Sequence, residues 1–152
     1  MSTIGIISDT HGLLRHEALA ALQGVEHIIH AGDIGKPEII SRLAEVAPVT
    51  AIRGNVDGAE WADAFPSTDS LELFGHRFFI IHDRNDLSFD PAKEGYGVVI
   101  SGHSHRPGIE TVEGVLYVNP GSAGPRRFKL PITVAILRQK AGKVLPSLIQ
   151  IA

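Results

Sequence analysis

The sequence predicts an α/β fold in which two β-sheets pack face to face and helices cover the outer faces. Short apolar runs alternate with helix-forming segments in the first third of the chain, a pattern typical of a parallel sheet with right-handed crossovers. Beyond Pro66, most apolar runs have the length and flanking turns of strands. No linker-like stretch divides the 152 residues, so we expect a single domain over residues 1–152.

The amino-terminal part alternates strands with helices. Its first strand has the sequence TIGIIS, a short and mostly β-branched run that is ended by Asp9. The segment HEALAAL consists largely of helix formers, and Pro37 suits the first turn of a second helix. The predicted order is strand 3–8, helix 16–22, strand 25–31, helix 36–46 and strand 48–53.

The remainder of the chain is predicted to consist mainly of strands. Glycine-containing pairs at Gly75-His76, Glu113-Gly114 and Ala141-Gly142 separate apolar runs and predict three hairpins. The predicted strands are 69–74, 77–81, 97–101, 109–112, 115–118, 132–138 and 144–151. We therefore expect a two-sheet sandwich flanked by helices.

Composition excludes several classes of function. The net charge of -3 with neutral histidines lacks the basic excess typical of nucleic-acid binding, so nucleic acid is not indicated as a partner. The absence of cysteine excludes disulfides, cysteine-ligated zinc and thiol catalysis. No apolar run approaches the roughly 18 residues of a membrane span, and the first residues lack the features of a signal peptide. We expect a cytoplasmic protein with no membrane partner.

Five predicted strands end in side chains that can bind a metal. In α/β sheets, ligands bind beyond the carboxyl ends of the strands, so these side chains should meet at one rim. They are Asp9, His11, Asp33, Asn55, His82, His103 and His105. Each motif is weak when it is taken alone, because Gly-Asp and Gly-Asn pairs are common in turns. Their occurrence in one chain, each at a strand end, favours a metal site.

The types of side chain indicate two adjacent divalent cations. Such pairs lie about 3.5–4 Å apart and need a bridging carboxylate, further carboxylate and imidazole ligands, and a bridging hydroxide as the nucleophile. A set of oxygen and nitrogen ligands without sulfur suits manganese, iron, nickel or zinc better than calcium or copper. Manganese is the first choice, and iron, nickel or zinc are alternatives.

The ordered motifs resemble those of the calcineurin-like metallophosphoesterase superfamily. The resemblance extends from residue 9 to residue 105 and continues at Asn119-Pro120-Gly121-Ser122. Length and this last stretch make the chain most similar to the small single-domain phosphodiesterases of the YfcE type. The matching motifs are Asp9-Thr10-His11, Gly32-Asp33, Gly54-Asn55-Val56-Asp57, Ile81-His82 and Gly102-His103-Ser104-His105.

The resemblance implies a four-layer αββα sandwich and a role for each residue. Asp9, His11 and His105 would bind the first cation, and Asp33 would bridge the two. Asn55, His82 and His103 would bind the second cation. Asn55 and His103 are the predicted catalytic residues, and Asn55 would donate its amide to a phosphate oxygen. Asn119 is a further candidate for contact with the substrate.

Two positions depart from the pattern of the superfamily. Many members carry histidine after the asparagine, near the leaving group, whereas this chain has Val56. This departure predicts slow turnover, or a substrate with a good leaving group such as an aryl phosphodiester. The second departure is Asp83, where glycine commonly follows the histidine. We interpret Asp83 as a solvated turn residue; the alternative is that it orients His82 or a neighbouring side chain.

The predicted function is therefore metal-dependent hydrolysis of a small phosphate ester, most simply a phosphodiester. A phosphomonoesterase or nucleotide pyrophosphatase could use the same site. A third alternative is a non-catalytic protein-binding scaffold, like the retromer subunit that shares this fold. A homodimer is an expectation taken from relatives.

Four residues outside the ligand set also have predicted roles or alternatives. His30 is expected either to support the site or to pack inside its strand. Asp57 is expected to support its loop or a metal-site histidine, without binding a cation. Arg126 and Arg127 could meet a phosphate, although arginine pairs in loops are usually solvated.

Overall fold

The computed structural model describes residues 2–152, so Met1, the first residue of the predicted domain, lies outside the described part. Within that part, α-helices and strands follow the predicted order, and two 3₁₀ helices were not predicted. The elements are β1 (Ser2–Ile7), α1 (His16–Ala21), β2 (His27–His30), α2 (Pro37–Ala44), β3 (Val49–Ala51), a 3₁₀ helix (Glu60–Ala64), β4 (Thr68–Leu73), β5 (His76–Ile81), a 3₁₀ helix (Arg84–Asp86), β6 (Val98–Ile100), β7 (Gly108–Val112), β8 (Val115–Asn119), β9 (Thr133–Lys140) and β10 (Lys143–Gln150).

The first sheet has the strand order β10-β9-β1-β2-β3. Strands β1, β2 and β3 are parallel, which confirms the interpretation of the amino-terminal part. The carboxyl-terminal hairpin extends this sheet, because β9 pairs antiparallel with β1 and β10 pairs antiparallel with β9. The sheet is therefore mixed, not purely parallel. Strand β9 lies between two neighbours, and its first five residues are buried on both faces.

The second sheet has the order β4-β5-β6-β8-β7. Its three central strands, β5, β6 and β8, are parallel, while β4 and β7 run antiparallel at the edges. The parallel arrangement directs the carboxyl ends of β5 and β6 to the same rim of the sheet. His82 follows β5 on this rim, and Gly102 begins the histidine motif just beyond β6.

All three predicted hairpins form. The turn residues are Phe74-Gly75, Glu113-Gly114 and Ala141-Gly142, and each has positive φ, between 51° and 81°. Two successive residues with positive φ make the turn whose twist matches a hairpin. The first turn lies one residue earlier than predicted, because β5 already begins at His76.

Two layers of apolar side chains hold the first sheet in place. One layer lies between the sheets and includes Ile6, Phe78 and Ile100, all fully buried. The other lies beneath α1 and α2, where Leu22 and Leu43 pack toward the opposite face of the sheet. Alternating strand residues thus supply two cores. In the described part of the chain, no helix is long and apolar enough to span a membrane.

The outer face of the second sheet is covered by an irregular segment. Phe79 on β5 packs at right angles to Phe89, with ring centroids 4.9 Å apart, and lies 5.3 Å from the ring of Tyr96. The predicted sandwich is confirmed, and on this outer face the chain that follows the 3₁₀ helix Arg84–Asp86 is irregular. Residues 84–97 are rich in Asn, Asp, Gly and Pro, which favour turns over helices.

Candidate metal centre

The carboxyl ends of strands from both sheets converge on one cluster of side chains. Asp9 Oδ1 lies 3.4 Å from His105 Nε2 and 3.8 Å from the Nε2 atoms of His11 and His82. Asp33 Oδ2 lies 3.1 Å from His82 Nε2 and 3.6 Å from His11 Nε2. Residues from β1, β2, β5 and β6 therefore meet at one point, as the strand ends predicted.

The remaining two predicted ligands lie beside this cluster. Asn55 Nδ2 is 3.4 Å from His103 Nδ1, and the ring of His103 packs edge-on against that of His82 at 5.3 Å. Two triads in the described chain place ligand atoms within 4.8 Å of one another, Asp9 with His11 and His105, and Asp9 with Asp33 and His82. His103 belongs to neither triad.

Each carboxylate has one oxygen engaged by the protein and one directed into the cluster. Asp9 Oδ2 accepts hydrogen bonds from the Ser8 hydroxyl at 2.7 Å and from the His103 backbone N–H at 3.1 Å. Asp33 Oδ1 accepts from the Val56 N–H at 3.0 Å. Asp9 Oδ1 and Asp33 Oδ2 are thereby left facing the imidazoles. The hydrogen bond from Ser8 was not predicted, although Ser8 stands next to Asp9.

Several buried polar atoms in the cluster have no hydrogen-bond partner. Burial of such atoms costs about 1–3 kcal/mol each, so native proteins rarely tolerate them without a ligand or function. The atoms are Asp9 Oδ1, His11 Nε2, His82 Nε2, His105 Nδ1 and His105 Nε2. Carboxylate oxygens and imidazole nitrogens are the donors that divalent transition metals bind. The donor set therefore fits the metal ions that the motifs predict.

The backbone at the cluster is held in a rarely adopted conformation. Five of the seven predicted ligands have φ between 47° and 71°, in the left-handed region, which non-glycine residues seldom occupy. Such conformations cost of order 1–3 kcal/mol each and collect at functional sites. The five are Asp9, His11, Asp33, His103 and His105. The surrounding fold therefore stores strain to direct these side chains inward.

Glycines in the motifs allow the loops to approach one another. A Cβ atom at Gly54 would collide with the carboxylate and backbone N of Asp33, and one at Gly102 would collide with Ser8 and Asp9. Only glycine fits such close approaches without displacement of the cluster. Glycine is thus required on steric grounds at Gly54 and Gly102, which precede Asn55 and His103.

The electrostatics of the cluster favour ionised carboxylates. Burial opposes ionisation of Asp9, but the nearby imidazoles of His105 and His11 hold the pKa of its carboxyl well below the ordinary value. Burial likewise opposes ionisation of Asp33, whose pKa is lowered by His82. Burial disfavours the charged form of His82, yet Asp33 and the carbonyl of Ala31 raise the pKa of this imidazole to about 9. The centre therefore attracts cations, whether protons or metal ions.

Asp57 connects two of the metal-motif loops. Its carboxylate, 5% exposed, accepts hydrogen bonds at 2.9 Å from the backbone N–H groups of Ile34, Gly35 and Gly54. These groups flank Asp33 on one loop and Asn55 on the other. The predicted role of Asp57 as a loop support is confirmed, and its oxygens face backbone groups.

His30 is fully buried and links β1 to β2. Its Nδ1 accepts from the Gly32 N–H at 3.1 Å, and its Nε2 lies 3.0 Å from the Thr10 hydroxyl. That hydroxyl donates to the Ile34 carbonyl at 2.8 Å, so Nε2 carries the imidazole proton and donates to Thr10. Both alternatives for His30 hold, because it packs inside the core and also supports the loops of Asp9 and Asp33.

Because the imidazole of His30 is buried, we expect the folded protein to lose stability in mild acid. Burial lowers the pKa of His30 to about 4. The negative charges of Asp9, Asp57 and Asp33 oppose this shift, and the imidazole of His82 adds to it. Below about pH 6.5 the unfolded chain binds this proton and the folded chain does not, so stability falls as pH decreases toward 4. Between pH 7 and pH 5, we expect this single group to cost about 2 kcal/mol.

Urea unfolding at both pH values, with EDTA present, measures this effect. The His30→Asn variant keeps an acceptor for Gly32 and removes the titrating group. Its free energy of unfolding should therefore decrease by about 2 kcal/mol less than that of the unmodified protein. Equal decreases in the two proteins would contradict the assignment.

Three further predicted contacts lie around the cluster. Asn119 Nδ2 donates to the Gly102 carbonyl at 3.0 Å and to the Ser104 hydroxyl at 3.2 Å, so its amide holds the histidine loop. Arg126 and Arg127 line a cavity of about 260 Å³ together with His11 and His105. Both arginines are exposed at the edge of the cluster.

Comparison with known sequences identifies the family. The sequence profile of the calcineurin-like phosphoesterase superfamily domain matches residues 2–142. A probable metallophosphoesterase of Methanothermobacter thermautotrophicus is 34% identical over 147 residues, covering 89% of this chain and 84% of that protein. The phosphodiesterase MJ0936 of Methanocaldococcus jannaschii is 35% identical over 152 residues, covering 88% and 91% respectively.

Solved structures agree with the sequence comparison. The structure of an archaeal phosphodiesterase is 29% identical and superimposes with a TM-score of 0.80, covering 97% of this chain and 99% of that one. Zinc-bound Vps29 of Entamoeba histolytica, 18% identical, has a TM-score of 0.77 with 99% of each chain covered, and shares the fold. From its motifs, its fold and these relatives, the chain belongs to the calcineurin-like phosphoesterase superfamily.

Proposed function

We propose that the protein is a metal-dependent phosphodiesterase that works with two divalent cations at the cluster between the sheets. The superfamily supports a phosphoester hydrolase. The choice of a diester is supported by the similarity to phosphodiesterase MJ0936, at 35% identity, and to the solved structure of an archaeal phosphodiesterase, at 29% identity. The observation that carries the proposal is the set of buried, unpartnered oxygen and nitrogen atoms at the strand ends.

The proposed ligand assignment follows the motifs, and four of its seven residues carry buried atoms without a hydrogen-bond partner. Asp9, His11 and His105 would hold one cation, and Asn55, His82 and His103 would hold the other. Asp33 would be the shared ligand, as the motifs imply, and its Oδ2 lies within 3.6 Å of one imidazole from each set. Asp9 Oδ1 also faces imidazoles of both sets, at 3.8 Å from His11 and from His82. Manganese is the proposed metal, and iron, nickel or zinc also suit these donors. When bound, two such cations neutralise phosphate charge and supply an activated water at neutral pH.

The protein's own groups would bind and orient the substrate. Asn55 supplies an amide donor for a phosphate oxygen, and the exposed guanidinium groups of Arg126 and Arg127 attract an anion to the cavity beside His11. Val56 is 55% exposed and offers no proton to the departing group. Turnover is therefore slow, or the leaving group of the phosphodiester departs without strong acid assistance.

Metal-dependent turnover tests the proposal. Protein stripped with a chelator should be inactive towards bis-p-nitrophenyl phosphate and regain activity with Mn²⁺. Loss of the His82 imidazole, in the His82→Ala variant, should lower kcat/KM about 100-fold or more. The same metal-loaded protein should hydrolyse p-nitrophenyl phosphate and a dinucleoside pyrophosphate more slowly, since these probe the monoesterase and pyrophosphatase alternatives.

Only a measurement of turnover distinguishes an enzyme from the scaffold alternative. Vps29 shares the fold and has been solved with zinc, so metal binding alone does not separate a scaffold from an enzyme. If the metal-loaded protein hydrolyses none of these esters with Mn²⁺, Fe²⁺, Ni²⁺ or Zn²⁺, the enzyme proposal fails.

A further inference from the structure

We propose that Asp83 is a positioning residue that orients the imidazole of His103 toward the second cation and so sets the affinity for that cation. This inference rests on the proposed function. It also replaces the interpretation of Asp83 as a solvated turn residue, because the side chain is only 23% exposed and contacts the candidate centre.

The two ring nitrogens of His103 face different neighbours. Nε2 lies 3.6 Å from Asp83 Oδ2, and Nδ1 lies 3.4 Å from the amide nitrogen of Asn55. The His103 backbone N–H is already fixed by Asp9 at 3.1 Å, so the loop position is set independently of the ring. Nδ1 is therefore the nitrogen on the side of the site, and Nε2 faces Asp83.

A carboxylate beside Nε2 selects one tautomer of the neutral ring. A neutral imidazole carries its proton on one nitrogen and a lone pair on the other. Asp83 favours the proton on Nε2, which leaves the lone pair on Nδ1, where Asn55 donates. A carboxylate that accepts from the distal N–H of a ligating histidine fixes its orientation and raises its basicity.

The ring of His103 needs such an anchor more than the other imidazoles do. Its side chain is 42% exposed, whereas those of His82 and His105 are 6% and 4% exposed. His82 is fixed through its Nδ1 by the Ala31 carbonyl at 2.7 Å. The ring of His103 is the more exposed one, and its 3.6 Å contact with Asp83 favours the orientation that turns Nδ1 toward Asn55.

The two oxygens of Asp83 have separable roles. Oδ1 accepts from the Asn85 N–H at 3.0 Å and caps the 3₁₀ helix Arg84–Asp86, while Oδ2 faces His103. The Asp83→Asn variant keeps the cap through its amide oxygen and removes the charge at His103. Asp86→Asn is the matched control, because it removes the same charge from the same turn.

Mn²⁺ titration of chelator-stripped protein, followed by the electron paramagnetic resonance signal of free Mn²⁺, tests the inference. We expect Asp83→Asn to weaken the second Mn²⁺ about 10-fold or more, with the first changed less than about twofold. Asp86→Asn should leave both affinities within about twofold. Equal losses in the two variants, or an unchanged second affinity in Asp83→Asn, would overturn the role of Asp83.

A measurement on the unmodified protein adds an independent criterion. The ¹⁵N shifts of the His103 ring in metal-free protein should report a proton on Nε2, and a proton on Nδ1 would overturn the inference. Unmodified protein that binds no Mn²⁺ would refute the proposed function together with this inference. Protein that binds two Mn²⁺ ions without any effect of Asp83→Asn would refute this inference alone.

Discussion

The Asp33→Asn variant is expected to lose hydrolysis of phosphodiesters, with kcat/KM reduced on the order of 1000-fold or more. Asp33 is the proposed shared ligand, so a change there affects both cations at once. Asparagine has nearly the same shape as aspartate, and its amide oxygen can keep the hydrogen bond from the Val56 N–H. The change is therefore directed at the oxygen that faces the imidazoles.

The replacement of Asp33 Oδ2 explains the size of the expected loss in kcat/KM. With its oxygen retained toward Val56, the asparagine presents an NH₂ donor to His11 and His82 in place of the anionic Oδ2. An amide nitrogen has no lone pair for a cation, and the centre also loses one negative charge. Because the two cations are proposed to act together, the loss should exceed that of a single terminal ligand.

Initial rates with bis-p-nitrophenyl phosphate and added Mn²⁺ provide the measurement. Asp63→Asn is a suitable control, because the Asp63 side chain is 80% exposed and makes only a 3.9 Å ion pair with Arg53. That variant should retain activity within about twofold. An Asp33→Asn protein with more than a tenth of normal activity would contradict the shared-ligand assignment.

The location of the centre could be predicted because strand ends are visible in sequence. Apolar runs that terminate at Asp9, Asp33 and His82 give both the element and the position of the side chain at its end. Parallel pairing of β1 with β2 requires Asp9 and Asp33 to share a rim. The packing of the two sheets then brings His82, at the end of β5, within hydrogen-bonding or ion-pair distance of both. The predicted sandwich depends on the same periodicity, and so do the hairpins, which have clear glycine signals.

Other features depend on contacts between distant segments. The left-handed backbone of Asp9 and Asp33 is imposed by the packing of loops, since neither residue type requires it. Asp83 and His103 are 20 positions apart, and only the parallel pairing of β5 with β6 brings them together. The irregular cover over Phe79 likewise depends on aromatic contacts with Phe89 and Tyr96, which local propensity does not encode.

The strain in the centre has to be balanced by interactions elsewhere. Five residues in the left-handed region would together cost several kcal/mol, a large share of the 5–15 kcal/mol that stabilises a typical domain. Hydrogen bonds that join the motif loops offset this cost. Asp57 is the main such support, because one buried carboxylate binds three backbone N–H groups.

Asp57→Asn should therefore destabilise the protein by about 3–5 kcal/mol, the usual effect of breaking a buried charged network. Asparagine has a single acceptor oxygen, and its NH₂ group would face backbone donors from Ile34, Gly35 or Gly54. At least one N–H group would lose its partner while remaining buried. For a chain of this length, the loss corresponds to a decrease in Tm of about 10 °C.

Urea unfolding in EDTA isolates this effect from metal binding. The exposed control Asp63→Asn should change the free energy of unfolding by less than about 0.5 kcal/mol. Because Asp57 ties the loop of Asp33 to the loop of Asn55, Asp57→Asn should also weaken the retention of Mn²⁺, although Asp57 itself binds none. A stable Asp57→Asn protein with normal Mn²⁺ affinity would show that the motif loops are held by their own backbone contacts. A destabilised variant with normal affinity would confine the role of Asp57 to folding.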